Sequence, residues 1–274
     1  MLNTISSQAS KLINLAKRRA EVDVHSKSKL LTFTSGKGGV GKSTFTANIA
    51  FILANKGFKV AVIDADIGLA NMQVLFDIKP KYTLFDYIDG KVDLEQALLK
   101  TQYENITLIA GKSGYQYANH SNSFVFAKIV KDVINLDYYD YILVDTGAGL
   151  NDYVKEFLTI SNHIIALTTT DPSALTDVYA LMKMLSKDKN SLMLCFNHTK
   201  SYQIGQTIAN SLENLARKNR LNSNFMLKYV GNVPTSKNIS TTGRLRKLFS
   251  KEFKDQEATN ELNRIVETLL INIK

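Results

Sequence analysis

One stretch of this sequence decides the fold: Gly36-Lys37-Gly38-Gly39-Val40-Gly41-Lys42-Ser43-Thr44. It matches the pattern G-x-x-x-x-G-K-[ST] from Gly36 to Ser43, and it lies between a run typical of a strand and a stretch typical of a helix. Glycines let the backbone turn tightly and direct its N–H groups at phosphate oxygens, while the following helix adds partial positive charge. The sequence therefore predicts a phosphate-binding loop between a strand and a helix.

Two side chains of this loop have specific predicted roles. We expect Lys42 to reach the β- and γ-phosphates of a nucleotide and Ser43 to place its hydroxyl on Mg²⁺. A glycine-rich turn that merely connects a strand to a helix would need neither side chain. The residues predicted to contact the nucleotide are Gly36, Lys37, Gly38, Gly39, Val40, Gly41, Lys42, Ser43 and Thr44.

Short, nearly continuous apolar runs predict strands that are covered on both faces of a sheet. Helix-like stretches separate them, which favours an α/β fold with a mostly parallel, doubly wound sheet. The predicted strands are Leu30–Ser35, Lys59–Asp64, Ile106–Ala110, Tyr141–Asp145, His163–Thr168, Leu192–Asn197 and Leu227–Val230. The predicted helices include Ser43–Lys56, Phe124–Leu136, Leu150–Ser161, Ala174–Lys187 and Ile204–Lys218.

Polar residues follow several of these strands at the point where each strand ends. In open parallel sheets the ligand site lies at the carboxyl ends of the strands, so Asp64, Asp66, Asp145 and Asn197 are candidates for the chemistry. An apolar strand that ends in aspartate is the Walker B pattern, and we expect Asp145 to bind Mg²⁺ through a water. Asp66 could instead cap the next helix, and Asn197 could also be a capping residue.

Composition bounds the class of protein. The 274 residues are 45% hydrophobic, with 3 Pro, 1 Cys and a formal net charge of +9. No apolar run is long enough to span a bilayer. Cys195 lies within an apolar run, so we expect it to be a small buried hydrophobic residue. We expect a cytoplasmic protein with a flexible extension over residues 1–28 and one domain over residues 29–274.

A basic stretch runs from Arg217 to Lys254, and Glu252 is its only acidic residue. Such a stretch can meet the phosphate backbone of nonspecific DNA, anionic lipid or an acidic partner. It can equally be a solvated face without a partner.

Lys37 directly follows the first glycine of the loop. The general phosphate-loop pattern does not require a lysine at this position. The loop resembles that of the deviant Walker A ATPases of the MinD/ParA family, which reads KGGxGK[ST]. The resemblance implies a P-loop NTPase of the SIMIBI-type, MinD-like fold that binds ATP/ADP and Mg²⁺ and converts ATP and water to ADP and phosphate. It also implies an ATP-dependent homodimer in which Lys37 crosses to the partner's nucleotide and assists catalysis.

Other segments resemble the same family. Asp64 to Asn71 is similar to its DxDxGLxN switch segment, which implies that Asp66 orients the attacking water and Asp64 lies near the metal. The family places an asparagine that hydrogen-bonds adenine where this chain has Asn197, and the segment that ends in Pro234 resembles the loop flanking the base. The catalytic residues implied are thus Lys37, Lys42 and Asp66, and the metal site comprises Ser43, Asp64 and Asp145.

The sequence Asp145-Thr146-Gly147-Ala148-Gly149 resembles the FlhG (FleN, YlxH) branch, as do Asn71–Phe76, Ala110–Gly114 and Thr169–Ala180. This resemblance implies regulation of flagellar number and placement, with an FlhF-like SRP-type GTPase and flagellar basal-body or regulatory proteins as partners. Ser7–Leu12 resembles the branch's DQAxxLR activator motif, although Ser7 and Ile13 replace its Asp and Arg. A disordered leader with a chance resemblance is the alternative.

Two other functions of this family remain open. A ParA-like DNA-partitioning ATPase would use the basic stretch, and a MinD-like division-site regulator would need a membrane-binding C-terminal helix. Apolar residues from Leu262 to Ile273 recur at helical spacing, which a membrane-binding helix or a core helix would both show. Packing in the core is favoured because the polar residues among and before them include several that are not basic, namely Asn260, Glu261, Asn263, Glu267 and Thr268. If the protein binds the inner face of the cell membrane reversibly, it is a peripheral membrane protein.

Overall fold

The computed structural model describes residues 27–113, 125–199 and 201–273. Its strands are β1 (Lys29–Ser35), β2 (Val60–Ala65), β3 (Leu98–Lys100), β4 (Ile106–Ile109), β5 (Tyr141–Ala148), β6 (His163–Thr168), β7 (Ser191–Asn197) and β8 (Met226–Val233). Its helices are α1 (Lys42–Asn55), α2 (Met72–Leu75), α3 (Leu84–Ile88), α4 (Leu94–Ala97), α5 (Val125–Asn135), α6 (Asp152–Ile160), α7 (Pro172–Leu185), α8 (Tyr202–Lys218), α9 (Lys237–Arg244), α10 (Phe249–Glu252) and α11 (Glu257–Asn272).

The strands form one sheet in the order β3-β4-β2-β5-β1-β6-β7-β8. Each neighbouring pair is parallel except β3 and β4, which are antiparallel. The predicted mostly parallel, doubly wound sheet is therefore confirmed. The sequence did not predict β3, because three partly exposed residues at a sheet edge are too few to show a period.

Both faces of the sheet are covered, which explains why the strands are continuously apolar. In β2, Val60 and Val62 pack into one hydrophobic cluster while Ala61 and Ile63 pack into another on the opposite face. The first cluster includes residues of α1 and α11, and helices α5 to α8 supply the clusters on the other face. Cys195 is fully buried in β7, and burial raises the pKa of its thiol far above the ordinary value, in agreement with its predicted role as a small hydrophobe.

The C-terminal helix α11 packs in the core. Leu262, Ile265, Val266 and Leu269 are buried on its inner face, and the helix lies against β8 and α1. The interpretation of this helix as core is therefore correct, and its apolar face is not available to a membrane. Within the described ranges, no helix is both long and apolar enough to cross a bilayer.

A matched pair of substitutions on α11 tests this packing. Leu262→Ala should lower the free energy of unfolding by about 2–5 kcal/mol, because it opens a cavity beneath a fully buried side chain. Ile271→Ala should change it by less than about 0.5 kcal/mol, because Ile271 is 68% exposed. Urea titration followed by circular dichroism measures both values, and equal losses would contradict the assigned inner face.

Candidate nucleotide-binding site

The glycine loop spans the gap between β1 and α1. Gly39 and Gly41 have φ values of 78° and 89°, a conformation that favours glycine. In the part of the chain that the structure describes, the backbone N–H groups from Lys37 to Gly41 donate no hydrogen bond to another protein group. The loop thus presents donors at a helix N-terminus, as a phosphate site requires.

Two of the glycines are also required by packing. A Cβ atom on Gly36 would overlap the Cβ of Asp177 in α7. A Cβ on Gly41 would lie 2.6 Å from Nδ2 of Asn197, which itself donates a 2.8 Å hydrogen bond to the carbonyl oxygen of Val40. The loop is therefore held in place by two neighbouring elements as well as by its own backbone.

A buried ion pair lies at the base of the loop. Nζ of Lys42 is 2.8 Å from Oδ1 of Asp145, and their side chains are only 6% and 0% exposed. Thr46 donates to the same oxygen at 3.3 Å. The other oxygen of Asp145, Oδ2, is buried and lacks a hydrogen-bond partner among the described residues. An orphaned carboxylate oxygen at this position suits Mg²⁺, which binds through one or two protein oxygens, water and phosphate.

Asp64 lies beside Asp145, because the two are register partners in the adjacent parallel strands β2 and β5. Burial raises the pKa of Asp64 to about 8, the negative charge of Asp145 adds to this, and hydrogen bonds from the N–H groups of Met72 and Asp66 oppose it. Its two oxygens accept those bonds at 3.0 and 3.2 Å. Asp64 thus shapes the segment after β2, and its place in the metal site stays a prediction.

Asp66 lies in the wall of the cleft beside the loop. Its Oδ1 accepts hydrogen bonds from the N–H groups of Gly68 at 3.0 Å and Leu69 at 3.1 Å. It therefore does not cap the next helix, since α2 begins after Asn71. The carboxylate is fixed in a local turn at the edge of the cleft, where it could orient a water.

Lys37 is placed differently from Lys42. It is exposed, and its Nζ donates a 3.2 Å hydrogen bond to Oγ of Ser173 at the start of α7. Its side chain does not line the cleft of its own subunit. Two lysines of one loop are thus separated, one beneath the loop and one on the surface.

The cleft has a volume of about 620 Å³ and opens beside the loop. Asn197 and Pro234 do not line it; Asn197 holds the loop and Pro234 follows β8. Their predicted contacts with the base stay predictions. The residues that line the cleft are Ser35, Gly38, Gly39, Val40, Gly41, Lys42, Ser43, Thr44, Asp66, Gly68, Leu69, Asn71, Val74, Leu75, Ala148, Tyr153 and Gly243.

Comparison with known proteins agrees with this geometry. A family model described as "ParA: NUBPL iron-transfer P-loop NTPase" matches residues 26–270. The chain belongs to the ParA/MinD family of P-loop NTPases.

Relatives and solved structures of this family match this chain over most of its length. It is 35% identical to the flagellum site-determining protein YlxH of Helicobacter pylori, over 91% of this chain and 84% of the relative. It is 31% identical to the antiactivator FleN of Pseudomonas aeruginosa, over 77% and 75% of the two chains. The Pyrococcus horikoshii MinD structure, complexed with Mg-ADP, superimposes with a TM-score of 0.72 at 21% identity and covers 88% and 96%.

Sequence patterns missed several residues of this ParA/MinD-type cleft. Tyr153 and Gly243 line it although neither belongs to a phosphate or metal motif. Gly243 lies in α9, which follows β8, so only the fold brings it to the loop. For Tyr153 the available signal was its position a few residues after the Asp145 segment, at the start of α6.

The basic stretch is spread over several elements. Arg217 and Lys218 end α8, and Lys228 lies in β8. Lys251 and Lys254 lie beside the end of α1 and the loop before β4, which is toward the opposite end of the strand order from β8. Part of the charge is also paired, in the ion pairs Arg217–Glu213, Arg246–Asp77 and Lys247–Glu252.

The two loop lysines offer a matched test of the buried ion pair. Lys42→Ala should lower the free energy of unfolding by about 3 kcal/mol without nucleotide, because it leaves Asp145 buried and unpaired. Lys37→Ala should leave the free energy of unfolding within about 0.5 kcal/mol of the original, because that side chain is exposed. Guanidinium titration gives both numbers; a wild-type value for Lys42→Ala would mean that the pair does not stabilise the fold.

Proposed function

We propose that this chain hydrolyses ATP to ADP and phosphate with Mg²⁺ and that ATP drives its assembly into a homodimer. The observation that carries the proposal is the Lys42–Asp145 pair beneath the glycine loop, with Oδ2 of Asp145 lacking a partner among the described residues. A lysine that can reach the phosphates and a carboxylate that can hold a metal's water are the groups that phosphoryl transfer needs. The family supports nucleotide hydrolysis in general.

Each loop residue has a role in this proposal. The N–H groups from Gly36 to Thr44 and the Lys42 ammonium bind the phosphates, while Ser43 and Asp145 hold Mg²⁺ directly or through water. The metal neutralises charge that develops on the transferred phosphoryl group. Asp66, fixed by the N–H groups of Gly68 and Leu69, orients the water for attack on the terminal phosphorus.

Lys37 supports the dimer. It does not line its own cleft, so in our proposal it reaches the nucleotide of the partner subunit and stabilises charge there, as an arginine finger does. Leu69, which is 68% exposed, and the exposed Val74 lie at the mouth of the cleft. A second subunit placed over the cleft would bury both apolar side chains and exclude water from the reaction.

We further propose that the switch regulates flagellar number and placement. The support is the similarity to YlxH and FleN over most of the length of each. An FlhF-like SRP-type GTPase and flagellar basal-body or regulatory proteins are the proposed partners. The segment Ser7–Leu12, on which the GTPase prediction rests, lies outside the described residues, as does most of the proposed extension over residues 1–28.

A mixing experiment tests the reaction and the dimer together. Lys37→Ala and Asp66→Ala should each bind ATP and each lose at least about a hundredfold in turnover. An equal mixture should recover about a quarter of wild-type activity, since random pairing gives half mixed dimers with one intact site each. Phosphate release measures the recovery. A mixture as inactive as its components would contradict a lysine acting on the partner's nucleotide, and a fully active Asp66→Ala would contradict the role of that carboxylate.

Flagellation in the native host tests the biological output. Asp66→Ala, introduced at the chromosomal locus, should change the number and position of flagella, whereas the exposed Lys155→Ala should not. Electron microscopy of cells with matched protein levels gives the counts. Unchanged flagella in Asp66→Ala would overturn the flagellar proposal. ATP-dependent, salt-sensitive retention of DNA by the purified protein would then favour the partitioning function, and ATP-dependent vesicle pelleting would favour the division-site function.

A further inference from the structure

Tyr153 is anchored in the core but reaches the nucleotide cleft. It is the second residue of α6, and its half-buried ring packs against two hydrophobic clusters beneath the sheet. It lines the cleft together with Lys42, Asp66 and Ala148. A ring fixed by packing places its hydroxyl with little loss of side-chain entropy when a ligand binds.

The hydroxyl lies directly over Gly147, near the end of β5. A Cβ atom built on Gly147 would be 2.5 Å from Oη of Tyr153 and 3.3 Å from two carbons of its ring. Any residue with a side chain at position 147 would therefore collide with this phenol. Gly147, which follows Asp145 and Thr146, leaves the space that the phenol of Tyr153 occupies. A substitution at one of these two positions should therefore affect the other.

The surroundings of the hydroxyl favour a hydrogen-bond donor. Burial raises the pKa of Tyr153, a hydrogen bond with the side chain of Asn151 opposes this, Asp66 raises it and Lys42 lowers it. Because burial opposes loss of the proton, the phenol keeps its O–H and can donate a hydrogen bond.

We propose that the hydroxyl of Tyr153 donates a hydrogen bond to the terminal phosphate of ATP, so that the cleft distinguishes ATP from ADP. The inference rests on the proposed function, because it takes ATP as the ligand of this cleft. The contact links α6 through the ring, the end of β5 through Gly147, and the phosphate through the hydroxyl. Loss of the terminal phosphate after hydrolysis removes the link between the nucleotide and these two elements.

The test is equilibrium binding of two nucleotides to the full chain. Tyr153→Phe should weaken binding of β,γ-imido-ATP with Mg²⁺ by roughly tenfold, since hydrogen bonds to charged groups are the stronger ones. Its affinity for ADP should stay within about twofold of the wild-type value, because ADP lacks the contacted group. Tyr138→Phe is the control, since Tyr138 is exposed and precedes β5 at the opposite edge of the sheet. Calorimetry at one protein concentration gives all the constants.

A double-mutant cycle tests the geometry without nucleotide. Gly147→Ala should lower the unfolding midpoint in urea, and it should lower it less when Tyr153 is already alanine, because the collision is then absent. Equal losses in both backgrounds would overturn the assigned contact.

The binding data have distinct outcomes. If Tyr153→Phe binds both nucleotides as the wild type does, or loses affinity for both equally, the terminal-phosphate contact is wrong while the ATPase proposal stands. If the wild-type chain itself binds no β,γ-imido-ATP, the proposed function fails and this inference fails with it. A loss confined to the triphosphate supports the inference.

Discussion

The buried attraction between the Lys42 ammonium and the Asp145 carboxylate is the constraint on which the site depends. Two charges withdrawn from water are tolerated only where each meets a partner with good geometry. This requires that the glycine loop hold the start of α1 against the end of β5, and that β1 and β5 be neighbours in the sheet. The second carboxyl, Asp64, lies beside the pair, but burial and the charge of Asp145 raise its pKa to about 8, so near pH 7 it adds little negative charge.

The sheet topology brings these groups together. β1 lies between β5 and β6, which is where successive connections turn in opposite directions and where a crevice opens at the carboxyl edge. The loop leaves β1 at that edge. Asp64 of β2 and Asp145 of β5 also lie there, as register partners in adjacent strands. Asn197 reaches the loop from β7 on the other side. A rigid scaffold thus holds groups that are far apart in the chain.

The glycines in this site have two structural roles. Gly39 and Gly41 adopt positive φ values, as a tight phosphate loop demands. Gly36, Gly41 and Gly147 each leave room for a side chain from another element, namely Asp177, Asn197 and Tyr153. The loop motif alone assigns such glycines to the ligand. The structure shows that part of their role is to let α7, β7 and α6 approach the cleft.

The amino-acid sequence was enough to predict the α/β class, the bounds of the main strands to within a few residues, a phosphate-loop motif between a strand and a helix, and aspartates at the strand ends. These are local properties, since hydrophobic period and motif spacing are written along the chain. The edge strand β3, the attachment of Lys37 to Ser173 and the place of Tyr153 over Gly147 could be found only in the folded molecule. Each of these depends on which distant segment packs against it. Local sequence patterns do not show such contacts between distant segments.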